Sequence, residues 1–95
     1  MDKLKHLLSH WEDYQRAEMA GDLSKDERNY FTLVENYILG CDDFFVLEMH
    51  YIDKKTFRKI ADELGYEERT IYRYRDKQTL LLHNMLVGSW RYNNG

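Results

Sequence analysis

The side chains best suited to chemistry lie between residues 54 and 77, and the chemistry they suit is hydrogen bonding to nucleic acid. If residues 67–77 form a helix, five polar side chains share its outward face: Arg69, Tyr72, Arg73, Asp76 and Lys77. Arginine and lysine donate hydrogen bonds to guanine edges and to phosphates, and a helix fits into a DNA major groove. On a helix that binds nothing, the same residues would be an ordinary solvated surface.

The residues around this face have the spacing of a helix-turn-helix. Apolar side chains recur on the inner sides of two short helices: Ile60, Ala61 and Leu64 in the first, Ile71 and Tyr74 in the second. Gly65 lies between them, where a positive φ angle would end the first helix. Thr56 precedes the first helix and is a typical N-cap residue. Residues 56–77 are therefore predicted to form two helices joined by a tight turn.

No other group of residues suggests catalysis or a cofactor. His6 and His10 are four residues apart and could bind a metal, but no third ligand lies near them in the sequence. The single cysteine, Cys41, cannot form an internal disulfide and is expected at a helix boundary. There is no nucleophile with a nearby base and no phosphate-binding glycine loop. We expect no enzymatic activity, no metal and no cofactor.

The charge of the chain is divided along its length. Residues 1–53 contain 5 Lys and Arg against 12 Asp and Glu, whereas residues 54–77 contain 8 against 5, in a chain of net charge −3. Positive charge is thus concentrated where the two-helix unit is predicted, and the acidic half would be repelled by phosphates. No signal peptide or apolar span of about 20 residues occurs, so we expect a cytoplasmic protein without a membrane partner.

The periodicity of apolar residues predicts an all-α fold, a compact bundle of four to five helices in one domain. The first helix is expected at residues 2–19, and the second opens with a capping box at Ser24 and Glu27 and stops at Gly40. A buried third helix, capped by Asp42 or Asp43, spans residues 44–52. The helices of the two-helix unit follow, the last from about residue 67 to residue 86, with residues 87–95 as a tail. Two apolar stripes could close the core or form a dimer contact: Leu4, Leu8, Trp11 and Tyr14, or Leu80, Leu81, Leu82, Met85 and Leu86.

The segment FVLEMHYIDKKTFRKIADELGYEERTIYRYRDK, residues 45–77, resembles the region-four helix-turn-helix of bacterial sigma factors. Within that superfamily it looks most like the small phage late transcription regulators of the RinA and ArpU type. The resemblance is carried by residue pairs at 46–47, 51–52, 60–61 and 64–65 and by the run Arg69-Thr70-Ile71-Tyr72 with its basic continuation to Lys77. It covers roughly the C-terminal half and implies a phage- or prophage-encoded, sequence-specific DNA-binding transcription regulator.

The resemblance also implies which residues contact DNA. Arg69, Thr70, Arg73 and Lys77 match positions that contact bases or phosphates in the family, with Tyr72 beside them and Thr56 capping the preceding helix. The sequence departs from the family pattern at two places. Glu67 and Glu68 open the second helix where Ser or Thr is common. No glycine follows Asp53, and Lys54 and Lys55 at that point are expected to reach phosphates.

Tyrosines near the turn admit a second interpretation, a stacking platform for single-stranded nucleic acid. Helical spacing places Tyr66 and Tyr74 inward, however, which leaves only Tyr72 as a ligand contact.

Three functions fit these observations. The first is a regulator that binds double-stranded DNA together with RNA polymerase or as a homodimer, since one helix-turn-helix buries little DNA surface. The second is a protein-interaction module that binds RNA polymerase or another transcription regulator without binding DNA. The third is a DNA-packaging recognition subunit, which would assemble into rings.

Overall fold

The protein is built entirely from helices within the part that the structure describes. The computed structural model describes the backbone of residues 2–94 and the side chains of residues 2–88, and no strand occurs in that range. The six α-helices are α1 (Asp2–Ser9), α2 (Trp11–Ala20), α3 (Lys25–Gly40), α4 (Phe45–Leu47), α5 (Phe57–Leu64) and α6 (Glu68–Asn94). The predicted all-α class is confirmed, whereas the predicted number of four to five helices is wrong. None of these helices is long and apolar enough to cross a bilayer.

The first predicted helix is interrupted at His10, which separates α1 from α2. His10 has φ −115° and ψ 26°, and its backbone N–H lies 3.1 Å from the His6 carbonyl oxygen and 3.2 Å from that of Leu7. The His10 ring nitrogen Nδ1 also lies 3.0 Å from the His6 oxygen. A polar side chain that bonds to the preceding turn competes with the regular helical ladder. The regular helix is interrupted here, and Trp11, the first residue of α2, packs on Phe31 with 4.5 Å between ring centroids.

The start of α3 has the predicted capping box. Ser24 Oγ accepts a hydrogen bond from the Glu27 backbone N–H at 3.2 Å, and the Ser24 backbone N–H donates to Glu27 Oε1 at 3.1 Å. The hydrogen bond from the Ser24 backbone N–H to the carboxyl, with a smaller contribution from the Ser24 side chain, lowers the pKa of Glu27 below its ordinary value of 4.5. The helix then buries Phe31, Val34 and Ile38 and ends at Gly40, as predicted.

The chain from residue 42 to residue 52 differs from the predicted regular helix. A 3₁₀ turn (Asp42–Phe44) leads into α4, and a π-helical segment (Glu48–Ile52) follows it. Cys41 is the N-cap residue, and no aspartate side chain caps the turn. The Gln78 side chain of α6 takes over this role, because its Oε1 accepts from the backbone N–H groups of Val46 at 3.0 Å and Leu47 at 3.4 Å.

Two clusters of buried apolar residues meet at α4. The larger cluster joins α1, α2 and α3 to the C-terminal half of α6, and the smaller one consists of Val46, Ile60, Ala61 and Ile71. Val46 belongs to the smaller cluster and the next residue, Leu47, to the larger, so the clusters are not independent. Segment 44–52 therefore joins the two clusters, which agrees with its predicted central position.

The apolar stripe of the N-terminal helices closes the core. Leu4, Leu8 and Trp11 are buried, as are Leu82 and Leu86 of α6, whereas Leu80 and Leu81 are exposed. These stripes were open to either interpretation from the sequence, and the buried members belong to the larger cluster.

The last helix is longer than predicted. α6 has 27 residues and ends at Asn94, so residues 87–94 continue the helix where a separate tail was expected. Its length of about 40 Å matches the longest dimension of the molecule, 40 Å. The side chains of Trp90 and Tyr92 lie outside the described residues.

Replacing Gln78 tests its bond to α4. Gln78→Met keeps the volume but removes the acceptor and leaves two buried amides without a partner, so we expect a loss of about 1–3 kcal/mol in the free energy of unfolding, measured by urea denaturation. Thr79→Val is the control, since Thr79 Oγ1 donates to the Arg75 carbonyl at 2.7 Å and its removal leaves no amide unpaired. Equal losses in the two variants would contradict the proposed importance of the Gln78 bond.

The capping box predicts a dependence of stability on pH. A carboxyl whose pKa is lower in the folded state stabilises the fold above the unfolded pKa of 4.5, and this contribution is lost as the pH falls through the folded pKa. Glu27→Gln retains the capping bond but has no charge. Melting temperatures measured from pH 7 to pH 3 should therefore fall more in the wild type than in Glu27→Gln. Parallel curves would show that Glu27 does not contribute in this way.

Candidate nucleic-acid interface

The first helix of the two-helix unit, α5, begins and ends at the predicted residues. Thr56 caps α5, with its Oγ1 accepting from the Lys59 backbone N–H at 3.1 Å. Gly65 ends α5 in the left-handed conformation, φ 76° and ψ 26°, as glycine does most easily. The Tyr66 backbone N–H donates to the Ala61 carbonyl at 3.0 Å, and α6 starts three residues after Gly65. The connection is thus the short residue run 65–67.

The smaller apolar cluster holds α5 against α6. Ile60, Ala61 and Ile71 are buried together, as predicted. Leu64 is 38% exposed and Tyr66 is 46% exposed, so the prediction of inward side chains is wrong for these two. The left-handed turn at Gly65 carries the chain away from the cluster just after Leu64. Tyr74 is half-buried, as expected, and packs on Phe45 with 5.5 Å between ring centroids.

The predicted outward face of α6 is exposed. Its members are Arg69, Tyr72, Arg73, Asp76 and Lys77. The three cationic residues occupy successive turns and span about 12 Å along the axis, at 1.5 Å per residue. Thr70, the other predicted contact on this helix, is half-buried at the edge of the face.

The cations on this face differ in whether they are already paired. Arg69 lies 3.3 Å from the Glu67 carboxylate, and the Tyr72 hydroxyl donates to Glu68 Oε1 at 3.3 Å. Arg73 and Lys77 have no ion-pair partner within the described residues. These two side chains are therefore the ones most available to a ligand.

The two lysines that precede α5 are both paired. Lys54 Nζ lies 3.3 Å from Glu12 of α2, and Lys55 Nζ lies 2.9 Å from Glu63 of α5. The hydrogen bond to Glu63 raises the pKa of Lys55 above its ordinary value of 10.5, so the ammonium group stays charged. The ion pairs are on the surface, where such pairs contribute about 0–1 kcal/mol. A phosphate could replace either carboxylate at small cost.

Lys54 also has a backbone conformation that glycine adopts more easily. Its φ angle is +61°, and it is the only described residue other than glycine with a positive φ. This is the position after Asp53 at which the sequence lacks the glycine of the region-four pattern. The chain makes the left-handed turn without it, which costs a residue with a side chain about 1–2 kcal/mol.

A stack of aromatic and cationic side chains joins the start of α5 to α6, and the sequence did not indicate it. The ring centroids of Phe57 and Tyr72 are 4.9 Å apart. The Arg75 guanidinium carbon lies 5.4 Å from the Phe57 centroid and 5.2 Å from the Tyr72 centroid. The Arg75 guanidinium also forms an ion pair with the Asp76 carboxylate at 3.0 Å. The His50 ring stacks on Phe57 with 3.8 Å between ring centroids. Thr56 directly precedes Phe57, so the N-cap of α5 adjoins this stack in the sequence. Tyr72 and Arg75 are three residues apart, which allows contact on a helix, but nothing in the sequence places Phe57 beside them.

No family model, curated protein or solved structure matches the chain. The interpretation of this surface therefore depends on its own residues. Among the described side chains, no group of three His, Cys, Asp or Glu could hold a metal ion. The His6 and His10 rings stack on each other with their centroids 4.4 Å apart.

Two substitutions at residue 54 test the strained turn. Lys54→Gly and Lys54→Ala both lose the ion pair to Glu12, but only the alanine keeps a Cβ in the left-handed conformation. We expect Lys54→Gly to be the more stable by about 1 kcal/mol, measured by urea denaturation. Equal stability, or a more stable alanine variant, would show that residue 54 is not held in this conformation in solution.

Proposed function

We propose that α5 and α6 form a helix-turn-helix and that the protein is a sequence-specific regulator of transcription that binds double-stranded DNA. In this proposal the first turns of α6, around residues 67–77, enter a major groove. The observation that carries it is the exposed face on which Arg73 and Lys77 have no ion-pair partner among the side chains of residues 2–88, in a two-helix unit with a left-handed Gly65 turn. Unpaired cations on a helix of this kind match the donors that read guanine and bind phosphate.

The contacts that hold α6 in a fixed position support this function. Ile71 is fully buried behind the exposed face, and Gln78 ties the next turn to α4. The stack of Phe57, Tyr72 and Arg75 connects this part of α6 to the start of α5. A helix that is fixed before binding loses less conformational entropy when it docks, so more of the contact energy appears as affinity.

The candidate contacts fall into two groups, one proposed to contact bases and one proposed to contact phosphates. Arg69 and Arg73 are proposed to reach base edges, because arginine donates two parallel hydrogen bonds to guanine. Lys77 and the residues before α5 are proposed to bind phosphates, which fix the register on the duplex without reading sequence. The phosphate-binding group thus consists of Lys54, Lys55, Thr56 and Lys77, with Thr70 and Tyr72 at the edge between the two groups.

The acidic N-terminal half is proposed to contact a protein. Residues 1–53 contain seven more Asp and Glu than Lys and Arg, so they favour a basic partner surface or solvent over DNA. RNA polymerase or a second copy of the chain would supply the extra binding that one helix-turn-helix lacks. By resemblance, we expect the protein to act on phage or prophage genes.

A second function is favoured by the ion pairs. Arg69, Lys54 and Lys55, three of the proposed DNA contacts, already pair with carboxylates of the protein itself. A module that binds RNA polymerase or another transcription regulator without binding DNA would need no free cations there. It predicts a stoichiometric protein complex whose formation is unaffected by Arg73→Ala.

The direct test is selection from a randomised duplex pool, followed by binding to the enriched site at several salt concentrations. We expect one enriched sequence and a steep fall of affinity with salt. The double variant Arg73→Ala, Lys77→Ala should lose the site through Arg73 and lower the salt slope by about 0.9 through Lys77, since each phosphate contact contributes about 0.9.

The matched control is Lys25→Ala, Arg28→Ala, which removes the same charge from exposed positions of α3. It should keep the enriched site and the wild-type slope. Equal losses in both double variants would indicate a general charge effect and would contradict reading by α6. The absence of any enriched site, with both variants like wild type, would reject the DNA function and favour the protein-interaction module.

A further inference from the structure

A cleft separates α1 from α6 on the flank of the exposed face. It has a volume of about 280 Å³, and its polar lining comes from Lys5 and Ser9 of α1, from Tyr51, and from Arg75, Asp76 and Thr79 of α6. A second hollow of about 290 Å³ shares Ser9 and Tyr51 with it and continues to Lys54, Lys55 and Thr56. The two hollows adjoin at these shared residues and are together called the α1 groove, whose lining extends from α6 to Thr56 before α5.

The α1 groove is basic although the protein is acidic. Four cationic side chains line it, against two carboxylates, Glu12 and Asp76. Three of the cations are paired: Lys54 with Glu12, Lys55 with Glu63 and Arg75 with Asp76. Lys5 has no ion-pair partner within the described residues, so one full positive charge at the groove is uncompensated.

Neutral donors accompany this charge. Ser9 lies one helical turn after Lys5, and both line the same side of α1. Tyr51 lines both hollows, and burial raises the pKa of its hydroxyl, which therefore stays protonated and able to donate. A lysine ammonium group with serine and tyrosine hydroxyls is a donor set that suits a phosphate group.

We propose that the α1 groove binds a backbone phosphate of the DNA, so that α1 adds to the protein–DNA contact through Lys5. The inference rests on the proposed function, because the groove meets the proposed DNA surface at Lys54, Lys55 and Thr56, which line its far end. It also changes the role of the N-terminal half. Its first helix contacts the backbone, whereas the acidic residues of α3 line neither hollow; Glu12 of α2 is the one N-terminal carboxylate in the groove.

The test compares two lysines of the same helix. Lys5→Gln removes the free charge at the groove, and Lys3→Gln removes an equal charge about 200° away around α1, where Lys3 Nζ lies 4.3 Å from the Tyr30 ring centroid. Binding of the full chain to its selected duplex is measured over a range of salt concentrations, with melting curves to confirm folding. For Lys5→Gln we expect a salt slope lower by about 0.9, equal to about eightfold weaker binding at 0.1 M salt, with the preferred sequence unchanged.

Each pattern of results has one meaning when Arg73→Ala, Lys77→Ala is measured alongside. Loss in Lys5→Gln but not in Lys3→Gln supports the groove. Equal effects in the two lysine variants, or none in either, overturn it, and the proposed function stands if the α6 variant still loses its site. Loss in Lys5→Gln with a normal α6 variant supports the phosphate contact and rejects reading by α6. No binding of DNA by the wild type rejects both proposals.

Discussion

The fold depends on one buried hydrogen-bonding group, the side-chain oxygen of Gln78. It accepts from two backbone amides at the start of α4, which lie too deep for water to satisfy. Val46 and Leu47, the residues that supply these amides, belong to different apolar clusters. One contact thus sets the position of α6 relative to both halves of the molecule. Because Gln78 follows the exposed cations by a single residue, it also sets how the proposed DNA surface is presented.

The elements that could be predicted from sequence are those with local causes. The capping box at Ser24, the cap at Thr56 and the left-handed turn at Gly65 each involve residues within a few positions of one another. The break at His10 and the irregular segment around α4 could not be predicted in the same way. The latter is stabilised by Gln78, whose acceptor lies more than 30 residues along the chain from the amides it binds.

At the candidate site, too, the features with local causes could be predicted and those that depend on distant residues could not. The outward face of α6 follows from helical spacing alone, so its exposed residues were predictable. Their electrostatic state was not, because the pair between Lys54 and Glu12 joins positions 42 residues apart. The sequence predicted Lys54 and Lys55 as phosphate contacts but could not show that the fold provides each with a carboxylate. Arg75 was missed for the converse reason: its charge suggests a surface residue, but its guanidinium lies against two aromatic rings.

These pairs give a physical reason for the orientation of the proposed complex. A surface lysine that leaves a carboxylate for a phosphate loses about 0–1 kcal/mol and releases counterions from the DNA, which favours binding at low salt. The carboxylate left behind then faces the duplex and opposes it unless it can move away. Glu12 is exposed on α2, where its side chain can turn to solvent. In the proposed complex α2 therefore lies next to the duplex at Glu12, whereas the acidic residues of α3 line neither hollow of the α1 groove and stay accessible to a basic protein partner.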